Sequence, residues 1–303
     1  MTSIRARRSV VAVALTSAIA LLAACQTPPP YGGPPTADRT FRATSVTINS
    51  SNDETCIIFC FGAEDEPKNV HIGFRVKMGV PGSASGQVTV GANHWNGVFE
   101  QGPGVGGSHN YTHSVAETAP VAFNGVAMPD LLDLAQGAPL EIAGVWAWKV
   151  EDDGILAANV NNIADAIIPA IVSALNATLA TSSVPSDANQ IVSAILSAIG
   201  NLGFFNLFAT VFTGILNNLN ISSDDVVGSA MYVGVGSSGT LAGIIDGVTG
   251  SVSFPAVAIP ALTVPPDIGG GAIFSLGTGT KTFSNNFTNG GVQGRHTTSY
   301  SFG

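Results

Sequence analysis

Charged residues are scarce in this chain. Of 303 residues, 11 are basic and 20 are acidic, so 10% carry a charge, against roughly 25% in an average soluble domain. Proteins that bind nucleic acid carry basic surfaces that displace counterions from the phosphates. A formal net charge of −9 therefore excludes nucleic acid as an expected partner. The 45% of apolar residues excludes a globally disordered chain, because such a composition has ample surface to bury.

Cysteine is also scarce, and the first of the three cysteines follows a segment typical of export. Three arginines lie near the N-terminus, residues 9–24 carry no charge, and Cys25 comes next. An apolar run of about 16 residues covers only about 24 Å of the roughly 30 Å hydrocarbon core. The segment therefore predicts a cleaved secretory signal and not a spanning helix.

The end of this signal, Leu22-Ala23-Ala24-Cys25, resembles the lipobox of bacterial lipoproteins. The resemblance implies that residues 1–24 are removed and that the sulfur of Cys25 is lipidated. The alternative is an ordinary secretory signal with a chance cysteine. Cleavage would leave 8 basic against 20 acidic residues, a formal charge of −12, which anionic head groups repel. We therefore expect an extracytoplasmic protein of the cell envelope, held at the membrane by acyl chains on Cys25.

The rest of the chain divides into a tether and one domain. Residues 25–40 are rich in proline and predict an extended spacer, followed by a single domain over residues 41–303. In residues 71–78 apolar and polar side chains alternate, which predicts a strand with one buried and one solvated face. Similar segments predict strands at residues 43–48, 55–61, 70–78, 87–90, 111–115, 121–126, 140–150, 226–235, 248–254, 257–264, 272–276, 281–287 and 293–302.

A helical insert is predicted between these two groups of strands. Residues 155–221 contain no Lys or Arg, and their apolar residues recur at intervals of three and four. This spacing predicts one helix that contains Pro169, a second that begins after Asp187, and a third over about residues 204–219. The predicted fold is thus mainly β, an antiparallel β-sandwich interrupted by two to three apolar helices.

The insert has two open interpretations. Residues 191–216 carry no charge, and this run is long enough to span a bilayer. Several asparagines and glycines within it favour the other interpretation, since unpaired amides are costly in hydrocarbon. We favour helices that cover a face of the sheet, with membrane insertion as the alternative.

The acidic residues are concentrated at predicted strand ends. Eight of the 20 lie in residues 64–66, 151–153 and 224–225. Calcium takes about 6 to 8 oxygen ligands, which carboxylates from separate loops supply. The alternative is that these acids lie in solvated turns or at helix N-termini. The candidate calcium ligands are Asp65, Glu66, Asp152, Asp153, Asp224 and Asp225.

Strands that lead into or out of these three segments resemble a group of bacterial β-sandwiches. That group is loosely related to the calcium-dependent, lipid-binding domains of the synaptotagmin and lipoxygenase types. The resemblance covers about residues 46–235, and the long helical insert departs from the pattern. It implies a sandwich of the eight-stranded type whose acidic loops bind calcium, and it implies no catalysis.

The two remaining cysteines, Cys56 and Cys60, are separated by three residues. An oxidising compartment favours a disulfide between them. In a regular strand, however, residues four apart lie about 13 Å from each other, beyond the roughly 7 Å Cα limit for bridging. Either the segment turns and the disulfide forms, or both thiols are buried on one face of a strand.

No motif predicts catalysis. Gly-x-Ser-x-Gly is absent, and residues 234–239 approach it only in composition. His109 and His113 with the nearby His94 have a spacing unsuited to one zinc ion, so we interpret them as exposed loop histidines.

We therefore expect a lipid-anchored envelope lipoprotein that acts as a non-catalytic binding or structural module, with calcium at its acidic loops. Its expected partner is the membrane, through Cys25. One alternative is a membrane-active protein that inserts its helices. The other is an enzyme whose site carries no recognisable motif.

Overall fold

The structure is a computed structural model that describes residues 31–50, 54–56, 60–62, 67–90, 111–114, 120–151, 160–185, 190–191, 193–194, 197, 226–248, 268–287 and 295–303. The chain divides into two compact units, Met1–Gly33 and Pro34–Gly303. Residues 31–33 of the first unit have no regular secondary structure. The second unit is mainly β.

In the described part of this unit, twelve strands and three α-helices have defined bounds, and residues 190–191, 193–194 and 197 are also helical. The strands are β1 (Thr36–Ser50), β2 (Glu54–Cys56), β3 (Cys60–Gly62), β4 (Pro67–Lys77), β5 (Ser85–Val90), β6 (Tyr111–Ser114), β7 (Val121–Ala127), β8 (Glu141–Glu151), β9 (Val226–Gly236), β10 (Ile268–Ser275), β11 (Lys281–Phe287) and β12 (Arg295–Phe302). The helices are α1 (Leu131–Ala135), α2 (Val160–Ala177) and α3 (Gly239–Val248).

The strands form two five-stranded sheets and one hairpin. In the first sheet the order is β11, β12, β1 and β6, and β7 pairs with the other half of the same edge of β1. In the second sheet the order is β10, β9, β8, β4 and β5. The second sheet is antiparallel except for β9 and β10, which run parallel. Strands β2 and β3 form the hairpin.

Aromatic side chains of the two sheets meet in a common core. The ring of Phe41 on β1 lies 5.1 Å from that of His71 and 5.3 Å from that of Tyr232 in the second sheet. The ring of Phe302 on β12 lies 5.4 Å from that of Phe274 on β10. Burial of these large apolar surfaces stabilises the contact between the sheets.

Helices cover the opposite face of the second sheet. Ile171 and Leu175 of α2 and Ile245 of α3 are buried with Trp146 and Trp148 of β8 in a second core. The second sheet is therefore buried on both faces. This corrects the prediction of a solvated face on β4, because His71 is only 1% exposed.

The insert is part of the core where the structure describes it. Helix α2 contains Pro169, as predicted, and this proline is exposed. One side of the helix is buried against the second sheet. Ile191, in the region of the predicted second helix, is helical and buried in the same core. The predicted third helix lies outside the described residues. Among the helices of the described residues, none is long and apolar enough to cross a membrane.

Several boundaries differ from those predicted. Strand β1 begins at Thr36, within the segment predicted as tether, because its first residues pair with β7. The segment predicted as one strand over residues 55–61 instead contains parts of two paired strands, β2 and β3. The predicted strand over residues 248–254 begins at Val248, which is the last residue of α3. The other residues of that segment, and the predicted strand over residues 257–264, lie outside the described residues.

Candidate functional site

Three strands that flank the acidic segments end side by side in the second sheet. Pro67, the first residue of β4, pairs with Glu151, the last residue of β8. Val150 pairs with Val226, the first residue of β9. The start of β4, the end of β8 and the start of β9 therefore lie at one end of this sheet, which we call the acidic end.

The candidate calcium ligands directly adjoin these strand ends in the sequence and lie outside the described residues: Asp65, Glu66, Asp152, Asp153, Asp224 and Asp225. Within the part of the chain that the structure describes, no group of three or more His, Cys, Asp or Glu side chains is arranged to hold a metal ion. For these candidate ligands, the structure shows that the three strand ends next to them in the sequence are aligned.

A buried lysine lies just inside the acidic end. Lys149 is 0% exposed, and its Nζ donates a hydrogen bond to Oδ1 of Asn69 over 3.3 Å. Asn69, also 0% exposed, is its direct partner on β4. On the other side of β8, Gly228 of β9 is the direct partner of Lys149. A Cβ added at Gly228 would approach Cδ1 of Phe287 to 2.7 Å. A glycine at this position therefore lets Phe287 pack closely over β9.

Further polar side chains share this interior. His71 lies on the same face of β4 as Asn69, two residues along the strand. Its ring lies 6.1 Å from that of Tyr300 on β12, where the alternate residues His296 and Thr298 are also fully buried. We call Asn69, His71, Lys149, His296 and Thr298 the interior polar cluster.

The electrostatics of this interior favour neutral aromatic side chains. Burial, followed by the positive charge of Lys149, lowers the pKa of His71 to about 3. The imidazole is therefore neutral at physiological pH. Burial, followed by the neighbouring Tyr300, raises the pKa of the Tyr232 phenol far above its usual value. Both shifts follow from the cost of moving charge out of water.

At the opposite end of the second sheet an ion pair joins the two layers. Glu141 of β8 is fully buried and accepts hydrogen bonds from Nε of Arg75 and, over 2.8 Å, from the backbone N–H of Ala127. The Arg75 guanidinium also donates to the carbonyls of Asn124 and Gly125, at 2.7 and 2.9 Å. These contacts fasten β7 to β4 and β8, so we assign them a structural role.

A second polar group lies where the parallel strands β9 and β10 end. Asp246 of α3 accepts hydrogen bonds from the Ser275 N–H, the Thr278 hydroxyl and Lys281 Nζ, at 2.8, 2.7 and 2.9 Å. Burial alone would raise the pKa of Asp246, but these hydrogen bonds and the charge of Lys281 hold it below its usual value. The carboxylate thereby ties α3 to β10 and β11, which is again a structural role.

A surface cleft of about 320 Å³ lies between β4, β5 and β7. Arg75 and Gln87 contribute to its lining. Both side chains already donate to protein carbonyls, and Gln87 Nε2 does so to Ala122 over 2.8 Å. Because its polar groups are occupied in this way, we do not assign the cleft a ligand.

The pairing of β2 with β3 removes the geometric objection to a disulfide between the two cysteines. Cys56 of β2 and Cys60 of β3 are directly opposite each other. Opposed residues of an antiparallel pair have Cα atoms about 4.5 or 5.5 Å apart, within the range that a disulfide bridges. The disulfide stays a prediction, now with a backbone register that accommodates it. The lipidation candidate Cys25 lies outside the described residues.

The interior polar cluster was missed at the level of sequence, although β8 contains a signal for it. Residues 141–150 are apolar at nearly every position, which is typical of a strand buried on both faces. A lysine near the end of such a strand is a candidate buried charge. Of the histidines considered for a metal site, His113 lies on β6, while His94 and His109 lie outside the described residues.

Comparison of the chain with protein-family models, with curated proteins and with solved structures gives no match in any of the three.

Proposed function

We propose that this protein is a lipid-anchored lipoprotein of the bacterial cell envelope that serves as a non-catalytic binding module, with calcium at its acidic end. The anchor is proposed from the lipobox that ends at Cys25. The body is proposed to be a β-sandwich of the two sheets with a helical layer on the second. The common core between the sheets and the buried faces of α2 and α3 support this architecture.

The observation that carries the calcium site is the alignment of three strand ends. The register pairs Pro67 with Glu151 and Val150 with Val226. Each of these strand ends adjoins one acidic segment in the sequence, so eight carboxylates belong to segments that adjoin the acidic end of the second sheet. Hard cations select such oxygen donors, and repulsion among the carboxylates is relieved when a divalent ion binds.

Calcium is expected to raise the melting temperature of the protein, because a ligand that binds only the folded state stabilises it. At about 100 times the dissociation constant the gain is about 2.7 kcal/mol. Asp152→Ala and Asp225→Ala should abolish the shift. The matched control is Asp165→Ala, which removes an exposed acid on α2 and should keep the full shift.

Differential scanning fluorimetry with calcium, with magnesium and with chelator makes this measurement. An unchanged melting temperature in calcium would rule out the site. Equal loss of the shift in the Asp165→Ala control would show a general charge effect and would also contradict a specific site.

A further inference from the structure

Two side chains that can condense with each other are held together in the interior of the second sheet. Lys149 Nζ lies 3.3 Å from Oδ1 of Asn69, and both residues are 0% exposed. They are direct partners on the adjacent strands β8 and β4. Among the described residues, Nδ2 of Asn69 has no hydrogen-bond partner although it is buried. A primary amine thus faces a carboxamide whose leaving nitrogen is not hydrogen-bonded by any residue that the structure describes.

We propose that Lys149 and Asn69 form an intramolecular isopeptide bond that crosslinks β8 to β4. Nζ of Lys149 attacks Cγ of Asn69, the Nζ–Cγ bond forms and the Cγ–Nδ2 bond breaks. The attacking group is the neutral amine of Lys149, and one of its two protons stays on the new amide nitrogen. The other leaves with the NH2 group of Asn69 as ammonia. The reaction needs no oxidant, reductant or further reactant.

Proximity and desolvation both promote this step. Two groups held in contact by a rigid sheet react as if at very high concentration, because their relative motion is already restricted. Removing an ammonium ion from water is costly, so burial favours the neutral amine, which is the nucleophilic form. The direct cross-strand register keeps both side chains on one face and prevents them from separating.

His71 is placed to carry the proton. It pairs with Ala147, two residues before Lys149, so it is the diagonal neighbour of Lys149 on the same face of the sheet. Burial is the main reason that the pKa of His71 is lowered to about 3, so its imidazole is neutral, and the lone pair of a neutral imidazole can take part in a proton relay beside Nζ of Lys149. We assign it the transfer of a proton from Nζ of Lys149 to the departing nitrogen of Asn69.

The experiment is a tryptic digest of the full chain followed by tandem mass spectrometry. Trypsin does not cleave after an acylated lysine. We expect a branched peptide in which residues 69–75 are joined through Asn69 to Lys149, with a mass lower by one ammonia than the sum of its two parts. Cleavage after Lys149 together with a free, unmodified 69–75 peptide in the folded wild-type protein would overturn the proposal.

Variants test separately whether the crosslink needs the amine of Lys149 and whether His71 promotes its formation. Lys149→Arg keeps the positive charge but lacks the amine, so it should yield no branched peptide. Lys77→Arg is the matched control on β4 and should keep it. His71→Gln should slow the appearance of the branched peptide after refolding, and formation at the wild-type rate would overturn the role of His71. The mass of the wild-type peptides shows whether the crosslink is present even where a variant fails to fold. Because this measurement is made without calcium, its result is independent of the proposed function.

Discussion

At the scale of residues, the burial of polar side chains in this protein depends on the layers that pack around their sheet. Lys149, Asn69 and His71 are polar residues that lie fully inside a β domain because a second layer covers each face of their sheet. A buried charge is costly unless it is paired and hydrogen-bonded. The 3.3 Å contact between Lys149 and Asn69 supplies one such hydrogen bond, and a covalent link would remove the charge altogether.

The stability of the protein is expected to fall as the pH decreases, and His71 should account for part of this loss. The unfolded chain binds a proton on this residue near its ordinary pKa of 6.5, whereas the folded protein does so only near 3. Between these values the unfolded state holds more protons, so stability present above about pH 6.5 is lost as the pH falls towards 3. Asp246, whose pKa is lowered, acts in the same direction.

Thermal unfolding followed by circular dichroism from about pH 7 down to about pH 4 measures this dependence. His71→Gln cannot gain a proton and should show a weaker decrease in melting temperature over that interval. Identical slopes for the variant and the wild-type protein would contradict the assignment to His71.

At the scale of elements, the same alternation of apolar and polar residues leads to different burial in two strands, because different layers cover the two strands. Strand β11 alternates between exposed and more buried residues, as a strand with one solvated face does. Strand β4 also alternates in sequence, but its polar residue His71 faces the first sheet and is buried. Helix α2 buries Ile171 and Leu175 against the second sheet, so the described part of the insert contributes to the core.

The β2–β3 hairpin is expected to be closed by a disulfide between Cys56 and Cys60, which are opposed in the register. Neither thiol should react with an alkylating reagent in the unreduced, unfolded chain, and both should react after reduction. Cys56→Ser should leave Cys60 open to alkylation without reduction. Because the closed loop is short, loss of the bond should lower the free energy of unfolding by only about 2 kcal/mol.

Mass spectrometry of the alkylated protein counts the modified thiols. Alkylation of both residues without prior reduction would contradict the disulfide and would favour the interpretation as two free thiols.

At the scale of the whole molecule, the second sheet organises the described domain. The starts of β4 and β9 and the end of β8, which adjoin the three acidic segments in the sequence, lie at one end of this sheet, while the pair of Glu141 and Arg75 fastens the opposite end to β7. Helices cover one face of this sheet and the first sheet covers the other. The strand ends that adjoin the acidic segments and the Glu141–Arg75 ion pair are thus separated along the strands.

The protein is expected to fractionate with membranes through Cys25, since an acidic chain gains no electrostatic attraction to anionic lipid. Cys25→Ser should move it from the membrane fraction to the soluble one, and should abolish incorporation of labelled fatty acid. Each buried methylene of an acyl chain contributes about 0.8 kcal/mol to membrane binding, so the loss should be nearly complete.

Membrane flotation followed by immunoblotting makes this comparison. Cys56→Ser is the matched control and should remain with the membrane. Membrane association of the Cys25→Ser protein at the wild-type level would contradict a lipid anchor on that residue.

Strand positions could be predicted because alternation of apolar and polar residues is a local property of the chain. The predicted strands at residues 121–126, 140–150, 226–235 and 281–287 match β7, β8, β9 and β11 to within one or two residues. The acidic segments, the cysteine pair and the apolar character of residues 155–221 were also evident in the sequence. The pattern does not specify which strands pair, since pairing joins residues far apart in the chain.

Only the tertiary structure decided how these pieces are combined. The parallel pairing of β9 with β10 and the meeting of three strand ends depend on partners distant in sequence. The pairing of Cys56 with Cys60 is local, but the sequence alone left it open. Burial on both faces, which places Lys149 against Asn69, depends on the layers that pack above and below the second sheet. Hydrophobic patterning selects the elements, whereas the register and layering of those elements determine which polar groups meet.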